Sequence, residues 1–168
     1  NSAIVQSGGE LAVDAGGSLA VGADASLRAL GSASLSAGTA ASIGDRAIVQ
    51  TDGALAVEAG GSLAVGADAS LRALGAMALS AGTGITVGAR TNLAAGTDAR
   101  FVASGAIAVG SGTSVTSAAA LAMQAGSAIT FSPTSRMQAS GAMTLNAGGS
   151  INLGEGAELA AGTGLSAT

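Results

Sequence analysis

The sequence predicts an all-β fold: a parallel β-helix, a solenoid of about 7.5 coils of 22 residues with three short parallel strands per coil. Three observations carry this prediction. Ala15 to Gly31 reads AGGSLAVGADASLRALG, and the same seventeen residues return at Ala59 to Gly75, 44 positions on. Ala3–Arg46 and Ala47–Arg90 share 32 of 44 residues. Halving that period lays out the chain, without insertion or deletion, in coils beginning at Ala3, Ala25, Ala47, Ala69, Thr91, Thr113, Ser135 and Ala157. Finally, the large apolar residues within a coil are two apart, the strand spacing, and lie between glycine-rich turns.

Positions within a coil are numbered 1 to 22. The first strand is centred on position 3, apolar in every coil from Val5 and Leu27 to Met137 and Leu159, with a small residue at position 5. The second strand carries large residues at positions 9 and 11, the latter including Val13, Leu35, Phe101, Met123 and Leu145. It ends at position 13, which is alanine in all seven complete coils, from Ala15 to Ala147. A methyl group is what fits where a narrow coil turns a corner. The third strand places Leu19, Leu63 and Ile85 at position 17 and Val21, Ile43 and Phe131 at position 19. Glycine recurs at positions 7, 14 and 20, where it supplies a positive φ or room for close backbone approach. Helix is the competing fold, given 42 alanines, but a glycine every six or seven residues and the two-residue spacing exclude it. Coils stacked at about 4.8 Å make a rod roughly 36 Å long.

Composition removes most chemistry. Ala and Gly make up 70 of 168 residues, and the chain has no His, Cys, Trp, Tyr or Lys. Zinc, haem and iron–sulfur sites lose their usual ligands, and most general bases and nucleophiles are gone. No catalytic residue, cofactor or metal site is expected. A net charge of −4 with only 10% charged residues argues against binding nucleic acid. Every apolar run is interrupted before the roughly 20 residues that a membrane helix needs, so no membrane insertion is expected. Zero cysteines fit a cytosolic protein, or an export substrate that stays unfolded across an oxidising periplasm.

Stacking also organises the charges. Position 22 runs Asp24, Arg46, Asp68, Arg90, alternating in sign one coil apart, and Arg136 and Glu158 share position 2 in adjacent coils. A slip of one coil would set Asp against Asp, so the alternation either fixes register or simply reflects duplication of a 44-residue unit. Position 4 runs Gln6, Arg28, Gln50, Arg72, which keeps like charges two coils apart.

The rows ALAVEAGGSLAVGAD (54–68), AMALSAGTGITVGAR (76–90) and AMTLNAGGSINLGEG (142–156) resemble the haemagglutinin repeats of the filamentous haemagglutinin family, large exoproteins exported by two-partner secretion. The resemblance covers Ala3 to the end. It implies a right-handed β-helical shaft of a secreted, surface-associated adhesin and virulence factor of a Gram-negative bacterium. It also implies an outer-membrane two-partner-secretion transporter as the partner of the full chain, and attachment to the host cell surface through other regions. The family's integrin-binding Arg-Gly-Asp is absent; Gly44-Asp45-Arg46 has another order. The alternatives are the stalk of a contact-dependent growth-inhibition toxin and a segment that itself binds host glycans. The segment therefore reads as one domain, 1–168, an internal piece without signal-peptide pattern or polar caps, whose function is length.

Sharper functions find less support in the residues. Asp24 and Asp68 would lie about 9.6 Å apart on one face, near the upper limit for an inverting carboxylate pair, but Arg46 stands between them. Gly16-Gly17-Ser18-Leu19-Ala20-Val21-Gly22-Ala23-Asp24 only mimics a calcium nonapeptide. Phe101, Phe131 and the four methionines all fall at inward positions and read as core. Position 18 lacks the continuous threonine ladder of an ice-binding face. Leu30 and Leu74 at position 6 are expected to cover a turn, with a small contact patch as the alternative. Thr97, Asp98 and Arg100 break the glycine-rich pattern, which predicts a bend or small loop or else a local binding epitope. Pro133 falls in a turn, where a missing N–H does least harm.

Overall fold

The computed structural model describes residues 3–168. Twenty-three strands run from Ile4 to Ala167, and all pairings are parallel. The first coil sets the pattern with strands Ile4–Ser7, Leu11–Ala15 and Leu19–Val21. Each strand pairs with the strand 22 residues later, giving two sheets of eight strands and one of seven. The 22-residue register holds without a slip: Ile4 pairs Ser26, Leu11 pairs Ala33, Leu19 pairs Ala41, and Arg136 pairs Glu158. The predicted parallel β-helix is the fold.

Burial follows the two-residue alternation. In Met77–Ala81 residues alternate buried and exposed, and Ile85–Val87 buries both ends and exposes its centre. Inward positions 3, 9, 11, 17 and 19 form one continuous core, which includes Leu35, Leu71, Ile107 and Leu145. Phe101 and Phe131 are 0% and 1% exposed, and Met77, Met123, Met137 and Met143 are buried with them. Phe101 fits because position 9 of its own strand is Ala99, also inward. At the two ends the same positions lack a covering coil. Val5 and Leu153 are 41% and 55% exposed although they point into the lumen.

Two features differ from the sequence reading. Position 1 is inward as well: Ala25, Ala47 and Ala69, then Thr91, Thr113 and Ser135, are all buried. The hydroxyls among them are satisfied by turn carbonyls, Thr91 by Gly66 and Thr113 by Gly88, each at 2.8 Å. Among the described residues no buried side-chain polar atom lacks a partner. The second difference concerns φ. Positive values occur at position 22, at Asp24, Arg46, Asp68, Arg90, Gly112, Thr134 and Gly156, and not at the glycine-rich positions 7, 14 and 20.

Glycine at position 14 serves close approach instead. A Cβ on Gly60 or Gly82 would collide with the carbonyl oxygen of the residue one coil earlier, Gly38 or Gly60. Ser104 is the exception at this position, and its N–H to Ala81 carbonyl bond stretches to 3.3 Å, against 2.8 Å at Gly38 and 3.0 Å at Gly126.

The expected bend or loop near Thr97–Arg100 is not there. Ala99–Ala103 pairs on both sides in the common register. Asp98 explains why. Its carboxylate accepts the N–H of Ala120, the same position one coil on, at 3.0 Å. Asp45 does the same for the N–H of Ala67 at 2.8 Å. Short acceptor side chains thus cap turn N–H groups that the ladder passes by.

Candidate functional site

The sequence singled out the corner at position 22, the pair Asp24 and Asp68, and the leucines at position 6. At the corner, position 22 must adopt a left-handed conformation to swing the chain from the third sheet into the first. That geometry disfavours a β-carbon and favours Gly, Asn or Asp. In the first four coils Asp24 and Asp68 follow that preference and Arg46 and Arg90 depart from it, with φ between 55° and 57° at all four. Their side chains leave the shaft at the same angle, one coil apart, and so meet. Arg46 Nε and Nη2 donate to the two carboxylate oxygens of Asp24 at 2.7 and 2.9 Å. Arg90 grips Asp68 in the same way, at 2.7 Å for both bonds.

These are two separate forks rather than one continuous ladder. Among the described residues the ion pairs are Arg46–Asp24, Arg90–Asp68 and Arg136–Glu158. All are solvent-exposed, so each contributes little to stability. The hydrogen bonds from Arg46 and Arg90 hold the carboxyls of Asp24 and Asp68 below their ordinary value, against a weaker desolvation effect. The guanidinium groups are correspondingly raised. A carboxyl held ionised by a bidentate guanidinium is a poor proton donor. The partner needed for glycosidic acid–base work is likewise locked by its own arginine.

The same turn looks different further along. Gly112, Thr134 and Gly156 occupy position 22 in the later coils. A shallow recess opens there, bordered by Ser114, Thr134, Arg136 and Glu158. Arg136 is already paired with Glu158 at 2.7 Å. No group of three or more acidic residues converges among the described residues. No helix is long and apolar enough to cross a membrane.

Leu30 and Leu74 stand at the turn that follows the first strand. They remain 54% and 49% exposed, pointing outward beside Arg28 and Arg72. The N–H groups of Leu30 and Leu74 still bond the carbonyls of Ser7 and Thr51, so the first sheet's ladder extends through position 6 and holds both leucines on its outer edge. Phe101 and Phe131 lie in the core, as their positions imply, and present no aromatic surface to a sugar. No family model, curated protein or solved structure matches the chain.

Proposed function

We propose that the chain is a rigid structural shaft of a secreted, surface-associated bacterial filamentous adhesin, a virulence factor in host-cell attachment, which holds distal binding domains away from the cell. The observation that carries this reading is the unbroken stack: three parallel sheets share one 22-residue register from Ile4 to Ala167. Hydrogen bonding along all three sides stiffens such a rod, and stability accumulates coil by coil. The adhesin identity is supported by the likeness of its rows to haemagglutinin repeats. Under this reading an outer-membrane two-partner-secretion transporter exports the full chain, and other regions contact the host surface. Folding that propagates as coils emerge would help draw the chain outward without ATP. The surface, net −4 and with its cations dispersed, does not suit nucleic acid.

Binding of the segment to erythrocytes and to sulfated glycans at physiological salt tests the reading. A shaft gives no saturable binding. Saturable binding would overturn it in favour of a segment that itself engages host glycans. Fusing the segment between a cell anchor and a known binding domain tests the spacer role directly. Removal of Ala47–Arg90, two whole coils, should shorten the reach by about 9.6 Å and leave the β signal per residue unchanged.

A further inference from the structure

Away from the two open ends, the large apolar side chains exposed among the described residues are Leu30, Ile48 and Leu74. All three lie on the outer face and edge of the first sheet, at positions 2 and 6. The outer face of the third sheet, by contrast, carries small or polar residues such as Ala20, Ser42, Ala64 and Thr86. The first sheet's face also has an alternating composition. Coils beginning at 3 and 47 present Ile and Gln at positions 2 and 4, as in Ile48 and Gln50, with Asp52 at position 6 of the latter. Coils beginning at 25 and 69 present Ser, Arg and Leu: Ser26, Arg28 and Leu30, then Ser70, Arg72 and Leu74. Arg28 and Arg72 take no part in the ion pairs found among the described residues.

We propose that this face pairs with the same face of a second copy, the two shafts parallel and staggered by one coil. A half-turn about an axis along the shaft reverses the strand direction. Position 2 of one copy then opposes position 6 of the other, and position 4 opposes position 4. With the coils level, Ile48 meets Asp52, which strips water from a carboxylate against an apolar side chain, and Arg28 meets Arg28, which is repulsive. Displacement by one coil changes every partner. Leu30 meets Ile48, and Ile48 meets Leu74. Gln50 meets Arg72, and Asp52 meets Ser70. Antiparallel shafts fail, because they set either Arg28 against Arg72 with Asp52 against itself, or Leu30 against Asp52. One of the four arrangements matches apolar with apolar and separates the like charges.

The face spans four coils by five residues, about 19 by 17 Å, or roughly 300 Å² per copy. That is well below the approximately 800 Å² per partner of a stable complex, so the pairing is weak and shows itself at high concentration or when shafts are crowded on a surface. It does not depend on the adhesin reading, since any solenoid with this face would pair in the same way.

The chain has no cysteine, so introduced thiols are unique. Gln50→Cys and Arg72→Cys variants, mixed near millimolar concentration with a short bis-maleimide, should cross-link to each other in higher yield than Gln50→Cys links to itself, the second pair being offset by one coil. Equal yields would overturn the stagger. A mixed yield no higher than that of Ala64→Cys, on the third sheet, would overturn the interface altogether. Adding Leu30→Ser and Leu74→Ser to both partners should remove the mixed product while the β signal in circular dichroism persists. Retention of the product in that background would also count against the proposal.

Discussion

The first four coils and the later ones solve the same corner in opposite ways. In residues 3–90, position 22 is charged and position 1 is always alanine, as in Asp24-Ala25, Arg46-Ala47 and Asp68-Ala69. Turns are tied on the outside in two pairs, Asp24 to Arg46 and Asp68 to Arg90, by carboxylate–guanidinium forks. After Arg90, position 22 is Gly or Thr and position 1 becomes a buried hydroxyl through Ser135. There the ties run inside: Thr91 reaches back to Gly66, and Thr113 to Gly88, each 25 residues earlier and so one coil below its own turn. Arg90-Thr91 is the junction and carries both devices. The core changes in parallel, from aliphatics with one methionine, Met77, to a later core that holds Phe101, Phe131, Met123, Met137 and Met143. Neither device is indispensable to the fold. What both halves share is the two-residue alternation and the close approach at position 14.

The largest effect should come from the later core. Phe101→Ala should cost about 3–5 kcal/mol in denaturant unfolding, because neighbouring Ala99 cannot fill the void. Phe101→Leu combined with Ala99→Leu should recover part of that loss; no recovery would mean that lumen volume is not what Phe101 supplies. Next comes the shared feature. Gly82→Ala, at a close approach to the Gly60 carbonyl of the preceding coil, should cost about 1–3 kcal/mol through strain. A neutral result in thermal melts would show that the backbone there shifts freely.

The two corner devices should differ in size. Thr113→Val keeps the shape and removes the buried hydroxyl, leaving the Gly88 carbonyl without that donor, a loss of about 1–3 kcal/mol that salt does not alter. Arg46→Gly loses an exposed fork but relieves a left-handed arginine, so it should be more stable than Arg46→Ala by about 1 kcal/mol. Parity of the two would remove backbone strain from the account of this corner.

The smallest effect is that of pH. Asp24 and Asp68 have folded pKa values below the ordinary carboxyl value, so their contribution is present above about pH 4. It is lost as pH falls through the lowered folded values. Melting in acid should therefore respond to Asp24→Asn plus Asp68→Asn only in low salt. Persistence of the wild-type acid response in that double variant would assign it to other carboxylates.

Much of this was legible because a 22-residue period turns a sequence into columns, and columns average out single residues. Positions 3, 11, 13 and 19 are each uniform in character, so their inward direction was plain. Position 1 was missed because it is alanine in some coils and Thr or Ser in others, so its average is neither apolar nor polar. The left-handed position is hidden by charge: only Gly112 and Gly156 are glycine there, and the Asp–Arg alternation at Asp24 and Arg46 reads as an ion pair before it reads as a turn. Asp98 looked like a broken pattern because its value lies in an N–H one coil away, and nothing in the row itself shows that this group lacks a backbone acceptor.

Twenty-two residues that span only about 4.8 Å when coiled reach some 73 Å when pulled straight. The coil is therefore a spool. Under tension each turn that peels from an end pays out some fifteen times the length it occupied, and it leaves behind a fresh end of the same construction. A tether made this way yields to a tug in flowing liquid by lengthening before it breaks, and rewinds on the template of the turns that stayed.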